Sequence, residues 1–270
     1  MLGLGVSLGA GSVISGAWTP ETLSNLQLWL KFNQNITADQ NSSGGSITHS
    51  TSAGDMGDAD KINAWNAFGD TSVNAVQATQ ADKPVWETDT ADVGGVKFNG
   101  SKILEFSADV VLDADTDFTI AIRFKCVDLS TPKAGLLGGA GTNEFLKLTS
   151  NTNLRAKITD GGSTNNRDFT LASGNLEDDE YFTIIVVRSD GSTGNMNTFI
   201  RGNESLDGTA TGTQMGSQLA DAGEVTIKFL GVTHDEGGNL NGFVKDVLIW
   251  DGTAASSGDR KEIFDYIEGQ

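Results

Sequence analysis

The oxygen-bearing side chains of this sequence gather in three loops. Asp55, Asp58 and Asp60 form one group, Asp113, Asp115 and Asp117 a second, and Asp235, Glu236, Asn239 and Asn241 a third. Calcium takes carboxylate and amide oxygens from loops, so each group qualifies by composition as a candidate site. The second has Asp-x-Asp-x-Asp spacing, but Phe118 stands where an EF-hand loop needs glycine and a strand follows at once, so a solvated turn is expected there. The acidic run Glu177 to Glu180 precedes an apolar segment and also reads as a solvated turn. His49 and His234 lie in polar stretches without a serine or cysteine elbow beside either, so neither a Ser-His-Asp nor a histidine-metal arrangement is legible. Cys126 is the single cysteine, which excludes an internal disulfide. Its place on the inward face of an expected strand makes it a small core residue rather than a nucleophile.

The elements that must position these loops are strands. From Asp117 to Val127, Phe118, Ile120, Ile122, Phe124 and Cys126 alternate with Thr119, Ala121, Arg123 and Lys125, a period of two. Shorter copies follow at Leu146 and Leu148, at Leu154, Ala156 and Ile158, at Met196, Thr198 and Ile200, and at Val225, Ile227 and Phe229. Tyr181 to Arg188 is apolar on both sides and should lie mid-sheet. The same holds for the run opened by Gly242. Strict alternation there sends Phe243, Val247 and Ile249 to one side and Val244, Leu248 and Trp250 to the other. Beyond a polar turn, Asp259 and Glu262 have N-cap and N3 spacing, and Ile263, Phe264 and Ile267 form an apolar helical stripe.

This ending resembles the close of the laminin-G-like, concanavalin-A-like jelly rolls: Gly242, then Asp246, Val247, Ile249 and Trp250, a polar turn, and a helix to Ile267. Lys245-Asp246 departs from it, because the family more often carries two acids. Earlier landmarks occur in the family's order. They are Trp18-Thr19-Pro20 with Leu26 to Leu30; Ile62, Trp65, Gly69 and Asp70; Asn74 to Gln80 with Lys83-Pro84; and Val96 to Gly100. The resemblance implies an all-β, two-sheet antiparallel jelly-roll β-sandwich with a short C-terminal helix. It implies calcium held by loops at the rim, which favours Asp235 with Asn239, and Asp55 with Asp58. It also places Trp29, Trp65 and Trp250 in the core, as the strand reading does for Trp86. Laminarinase-like relatives carry Glu-x-Asp-x-x-Glu for retaining glycoside hydrolysis, which needs carboxyl groups about 5 Å apart. Glu177 to Glu180 comes closest, but Phe182 stands where the last Glu belongs, so no catalytic residues are assigned and no enzyme is expected.

Composition agrees with a β protein: 34 Gly and only 37% hydrophobic residues give many turns. A net charge of -18 is incompatible with a basic nucleic-acid footprint and repels anionic membranes. No run approaches the ~18 apolar residues of a membrane span. No linker or repeat divides the chain, which reads as residues 1–17, a glycine-rich apolar arm, and residues 18–270, one jelly-roll domain. The first sixteen residues lack Lys or Arg and contain five glycines, a poor match to a secretory signal. Leu2, Leu4, Val6, Leu8, Val13 and Ile14 would instead be anchors that dock on a neighbouring subunit.

The expected function is a structural protein of a bacteriophage virion, a capsid decoration, neck or tail appendage. It would be docked through the arm to other virion proteins and to its own copies in a homo-oligomer. The alternative is a secreted or surface carbohydrate-binding adhesion module facing a cell-surface glycan.

Overall fold

The computed structural model describes residues 18–32, 34–39, 46–49, 57–87, 94–129, 134–139, 144–160, 163–172, 176–189, 195–202, 210–219, 223–233 and 239–269. A 3-10 turn at Pro20–Thr22 leads into β1 (Leu26–Leu30), β2 (Ile36–Asp39), β3 (Ser46–His49), β4 (Lys61–Trp65), β5 (Ala75–Val76) and β6 (Val85–Glu87). Next come β7 (Gly95–Asn99), β8 (Leu104–Leu112), β9 (Phe118–Cys126), β10 (Ala134–Gly139), β11 (Glu144–Leu148) and β12 (Asn153–Asp160). The chain continues through β13 (Ser163–Thr170), β14 (Tyr181–Ser189), β15 (Asn195–Gly202), β16 (Thr213–Leu219), β17 (Val225–Leu230) and β18 (Asn241–Asp251), then α1 (Ser257–Glu268).

The fold is all-β and antiparallel. Pairing runs from β16 through β15, β14 and β9 to β18. The far edge of β18 is shared, β1 taking its C-terminal half and β7 its N-terminal half. From β7 the pairing passes through β6, β4, β5, β8, β17, β10, β11 and β12 to β13. β2 and β3 add to the other edge of β4. The strands are therefore one hydrogen-bonded sheet rather than two separate ones, because β6, β4 and β5 carry the bonding around a rim. The ends nearly meet: a Cβ at Gly216 of β16 would lie 3.8 Å from Cδ1 of Phe169 in β13. Curling almost into a barrel leaves few open edges.

One face of β9 behaves as its alternation demands. Phe118, Ile120, Ile122, Phe124 and Cys126 enter the main core with Ile184, Val186, Val247 and Ile249. Trp29, Trp65, Trp86 and Trp250 are buried too. On the opposite face a smaller apolar cluster joins Trp29, Ala121, Ile185, Leu248 and Trp250 to Ile263, Phe264 and Ile267 of α1. Each of those three helix residues contributes roughly 1.5–3 kcal/mol by burial. The helix starts one turn before the sequence spacing suggests. Ser256, not Asp259, is the N-cap, and Asp259 is the N3 partner of a capping box.

β18 lies mid-sheet as expected, but its faces are not those that strict alternation gives. Its register against β9 slips between Val244 and Asp246, a bulge that turns the strand by one residue. Val244 therefore joins Val247 and Ile249 in the main core. Phe243 falls on the other side, above Lys97 and Lys125. A comparable slip in β17 after Ile227 puts Leu230 rather than Phe229 into the core. Gly242 is obligatory, since a Cβ there would overlap the carbonyl of Lys125.

Candidate functional site

Beside the bulge in β18 a carboxylate is shut into the interior. Asp246 is fully buried on the face that also carries Leu248 and Trp250. Its Oδ1 accepts a hydrogen bond of 3.0 Å from the backbone N–H of Phe32, just beyond β1. Its Oδ2 has no hydrogen-bond partner among the described residues, and neither has Trp29 Nε1. Burial raises the Asp246 carboxyl to about 7, against opposing contributions from the Phe32 N–H and from Arg123, Lys31 and Lys245. Desolvation thus outweighs three cations and a hydrogen bond.

The cations are held by rings. Lys31 Nζ lies 4.6 Å from the Phe68 ring centre, 5.7 Å from Trp29 and 5.9 Å from Tyr266 of α1. Lys245 Nζ sits 4.1 Å from Tyr181 and 4.8 Å from Phe32, and Arg123 is 5.5 Å from Tyr181. Lys125 Nζ lies between Phe243 at 4.6 Å and Tyr181 at 5.1 Å. Such contacts are worth ~0.5–2 kcal/mol each and let long side chains stay charged under cover. Tyr266 is raised to about 12, first by its own burial, then by Asp246 and Glu21. This face of β18, β9 and β14 is therefore a basic, aromatic surround for one carboxyl group. It can hold a proton near neutral pH and fasten the β1 segment to the sheet.

Of the expected calcium ligands, the structure describes Asp58 and Asn239 with their neighbours Asp60 and Asn241, and the Asp113 to Asp117 turn. Asp55 and Asp235 lie outside the described residues. Asp58 is exposed, and Asp60 turns back to accept the Gly57 N–H at 2.8 Å. Asn239 is half-buried, and its backbone bridges Gly135 of β10. No group of three or more His, Cys, Asp or Glu that could hold a metal occurs among the described residues. The Asp113 to Asp117 turn serves a different cation, the buried Arg188 of β14. Its guanidinium donates to the carbonyls of Asp113 (2.6 Å), Thr116 (2.7 Å) and Gly223 (2.8 Å), and it stacks 4.6 Å from Phe118. Cys126 is buried, and burial pushes its thiol up to about 12, which leaves it inert as a nucleophile. Glu177 to Glu180 are exposed, as a solvated turn should be. The arm anchors Leu2, Leu4, Val6, Leu8, Val13 and Ile14 lie outside the described residues. No described helix is long and apolar enough to cross a membrane. The basic surround of Asp246 was not foreseen, although one signal pointed to it: Lys245-Asp246 interrupts an otherwise apolar strand.

No protein-family model and no curated protein matches the sequence. Solved structures do resemble the fold. An arabinofuranosidase complexed with arabinofuranosyl-alpha-1,2-xylobiose aligns with a TM-score of 0.51 at 10% identity, over 90% of this chain and 61% of that one. Domain 4 of an extracellular arabinanase from Geobacillus stearothermophilus, in complex with arabinotriose, aligns at 0.49 and 12% identity, over 88% of this chain and 98% of that domain. The enzymatically active domain of tailspike protein 2 of Bacteriophage CBA120 aligns at 0.49 and 13% identity, over 70% of this chain and 30% of that one. The chain thus spans a whole domain in one neighbour and less than two thirds of the other two. At these identities the likeness concerns the β-rich fold alone.

Proposed function

We propose that this chain is a non-enzymatic structural module, a laminin-G-like jelly roll displayed on a bacteriophage particle and docked through residues 1–17. The observation that supports the non-enzymatic part is the face of β14, β9 and β18 beneath α1. Retaining glycoside chemistry needs two carboxyl groups about 5 Å apart. Among the described residues of this face there is one, Asp246, and it is buried beside cations. The glycine-rich arm with its apolar anchors supports docking to other virion proteins or to further copies. Deleting residues 2–16 should leave a folded, soluble domain that no longer appears by mass spectrometry in gradient-purified particles. Normal incorporation of the truncated chain would defeat the docking reading.

A second reading is a secreted glycan-binding module. It is favoured by Tyr181, half-buried and faced by Arg123, Lys125 and Lys245, which suits an acidic sugar better than a neutral one. A glycan array on which acidic glycans bind no better than neutral ones disposes of it. Calcium at the Asp235–Asn239 loop belongs with either reading. Millimolar calcium should then raise Tm, and Asp235→Ala should abolish the rise.

A further inference from the structure

On the far side of the rim, three side chains of β2, β4 and the β5–β6 connection close a ring of contacts. Asp39 Oδ2 accepts from Lys83 Nζ at 2.8 Å, and Asp39 Oδ1 accepts from Asn63 Nδ2 at 2.6 Å. Lys83 Nζ also donates to Asn63 Oδ1 at very close range. The backbone enforces this meeting. β2 faces β4 with a slip between Thr37 and Ala38, so that Ala64 and Ile62 are paired and Asn63 is the extra residue of a bulge. Lys83 is held by its neighbours: Asp82 O accepts from Ile103 N at 3.2 Å and Pro84 O from Ile62 N at 2.9 Å. Lys83 is only 6% exposed, so little water competes for its amine.

A buried amine touching a carboxamide, with one carboxylate bonded to both, is an arrangement for amide exchange. We propose that Lys83 and Asn63 join in an autocatalytic isopeptide bond, with Asp39 as the proton carrier. Asp39, bonded to both reacting groups, takes one proton from the Lys83 ammonium as the amine turns towards Asn63 Cγ. The neutral amine attacks Asn63 Cγ, and negative charge collects on Oδ1. Asp39 returns its proton to Nδ2, the Cγ–Nδ2 bond breaks as Oδ1 re-forms the carbonyl, and ammonia leaves with the surplus proton as ammonium. Of the three hydrogens on Nζ, one stays on the new amide and two depart with the nitrogen. Nothing is oxidised and no cofactor is needed.

The bond would sit where the sheet is thinnest. β4 and β6 share a single register pair, Lys61 with Val85, and a link between residues 63 and 83 spans that junction. Closing this loop covalently restricts the unfolded chain much as a disulfide does, in a protein with one cysteine.

The test is the intact mass of the full chain, measured by electrospray after unfolding in denaturant. The wild type should fall below its sequence mass by one ammonia, about 17 Da. Proteolysis should release a branched peptide joining the segments around residues 63 and 83. Lys83→Arg and Asn63→Ala should each show full mass and a lower Tm. Asp39→Asn, which keeps both reacting groups, should also show full mass. If Asp39→Asn fails to fold, Asp39→Glu takes its place, with slower loss of ammonia expected. Asn99-Gly100 and Asn241-Gly242 could lose ammonia by forming a succinimide, so a loss that persists in Lys83→Arg counts against the proposal. Full sequence mass for folded wild type after days at pH 8 overturns it.

Discussion

The two faces of β9 and β18 are built on opposite principles. Towards the main core they present Phe118, Ile120, Ile122, Phe124, Val244, Val247 and Ile249, with no ionisable side chain apart from the thiol of Cys126. Towards α1 they present Ala121, Leu248 and Trp250 at one end and Arg123, Lys125, Phe243 and Asp246 at the other. The first face is stabilised by packing that tolerates no water. The second is half apolar, half charged, and its charges are tolerated because rings and opposite charges replace the solvent they lose. The cores differ in what they can be asked to do: one supplies stability, and the other couples stability to pH.

The sharpest way to break this contrast is to exchange the chemistry of the faces. Ile122→Asp places an unpaired carboxylate in the main core at a cost of several kcal/mol and should abolish soluble expression. An Ile122→Asp protein with a wild-type melting curve would show that this face is not a dry core.

Next in size is the pH dependence of Asp246. Its folded carboxyl lies at about 7 against an ordinary value of 3.8, so the folded state holds the proton more tightly than the unfolded one. Stability from this group is complete below about 4, declines as pH rises towards about 7, and is lost above it. The decline could reach ~4 kcal/mol, at 1.36 kcal/mol per unit. Asp246→Asn should flatten Tm between pH 4 and 8 and raise Tm at pH 8. A wild-type Tm that climbs over that interval, with Asp246→Asn making no difference, removes Asp246 as the cause.

Arg123→Asp should be smaller but visible. Alternation alone makes Arg123 a solvent-facing residue whose loss is silent. The structure puts it over Tyr181 and among the cations that face Asp246. Replacing it with a second acid should cost about 1–3 kcal/mol at pH 8, read by urea unfolding. A silent Arg123→Asp would mean that the charged half of this face is ordinary surface. The smallest effect is expected at the edge of the α1 cluster. Ser256→Ala removes the N-cap and should cost about 1 kcal/mol, whereas Asp259 as the true N-cap would make Ser256→Ala neutral.

Alternation, a property of the sequence alone, determined the strands that matter most. Phe118 to Cys126, Tyr181 to Arg188 and the Gly242 run are all strands; the last two lie mid-sheet as doubly apolar strands must, and Phe118 to Cys126, read as a one-faced alternation, is covered on both sides as well. Turn chemistry also made the Asp113 to Asp117 loop legible as a turn, though not its partner, because Arg188 is remote in sequence. Bulges were not legible. Nothing local in Val244-Lys245-Asp246 says that the register slips there, since a slip is decided by what the neighbouring strand needs to pair. Yet that slip alone turns Phe243 out of the main core and Val244 into it, while Asp246 keeps the side of Leu248 and Trp250. The bulge at Asn63 has the same origin and brings it onto Lys83 and Asp39, which lie 20 and 24 residues away along the chain. Periodicity reports which faces are apolar; only the pairing of distant strands decides which polar side chains are shut in together, and so where chemistry becomes possible.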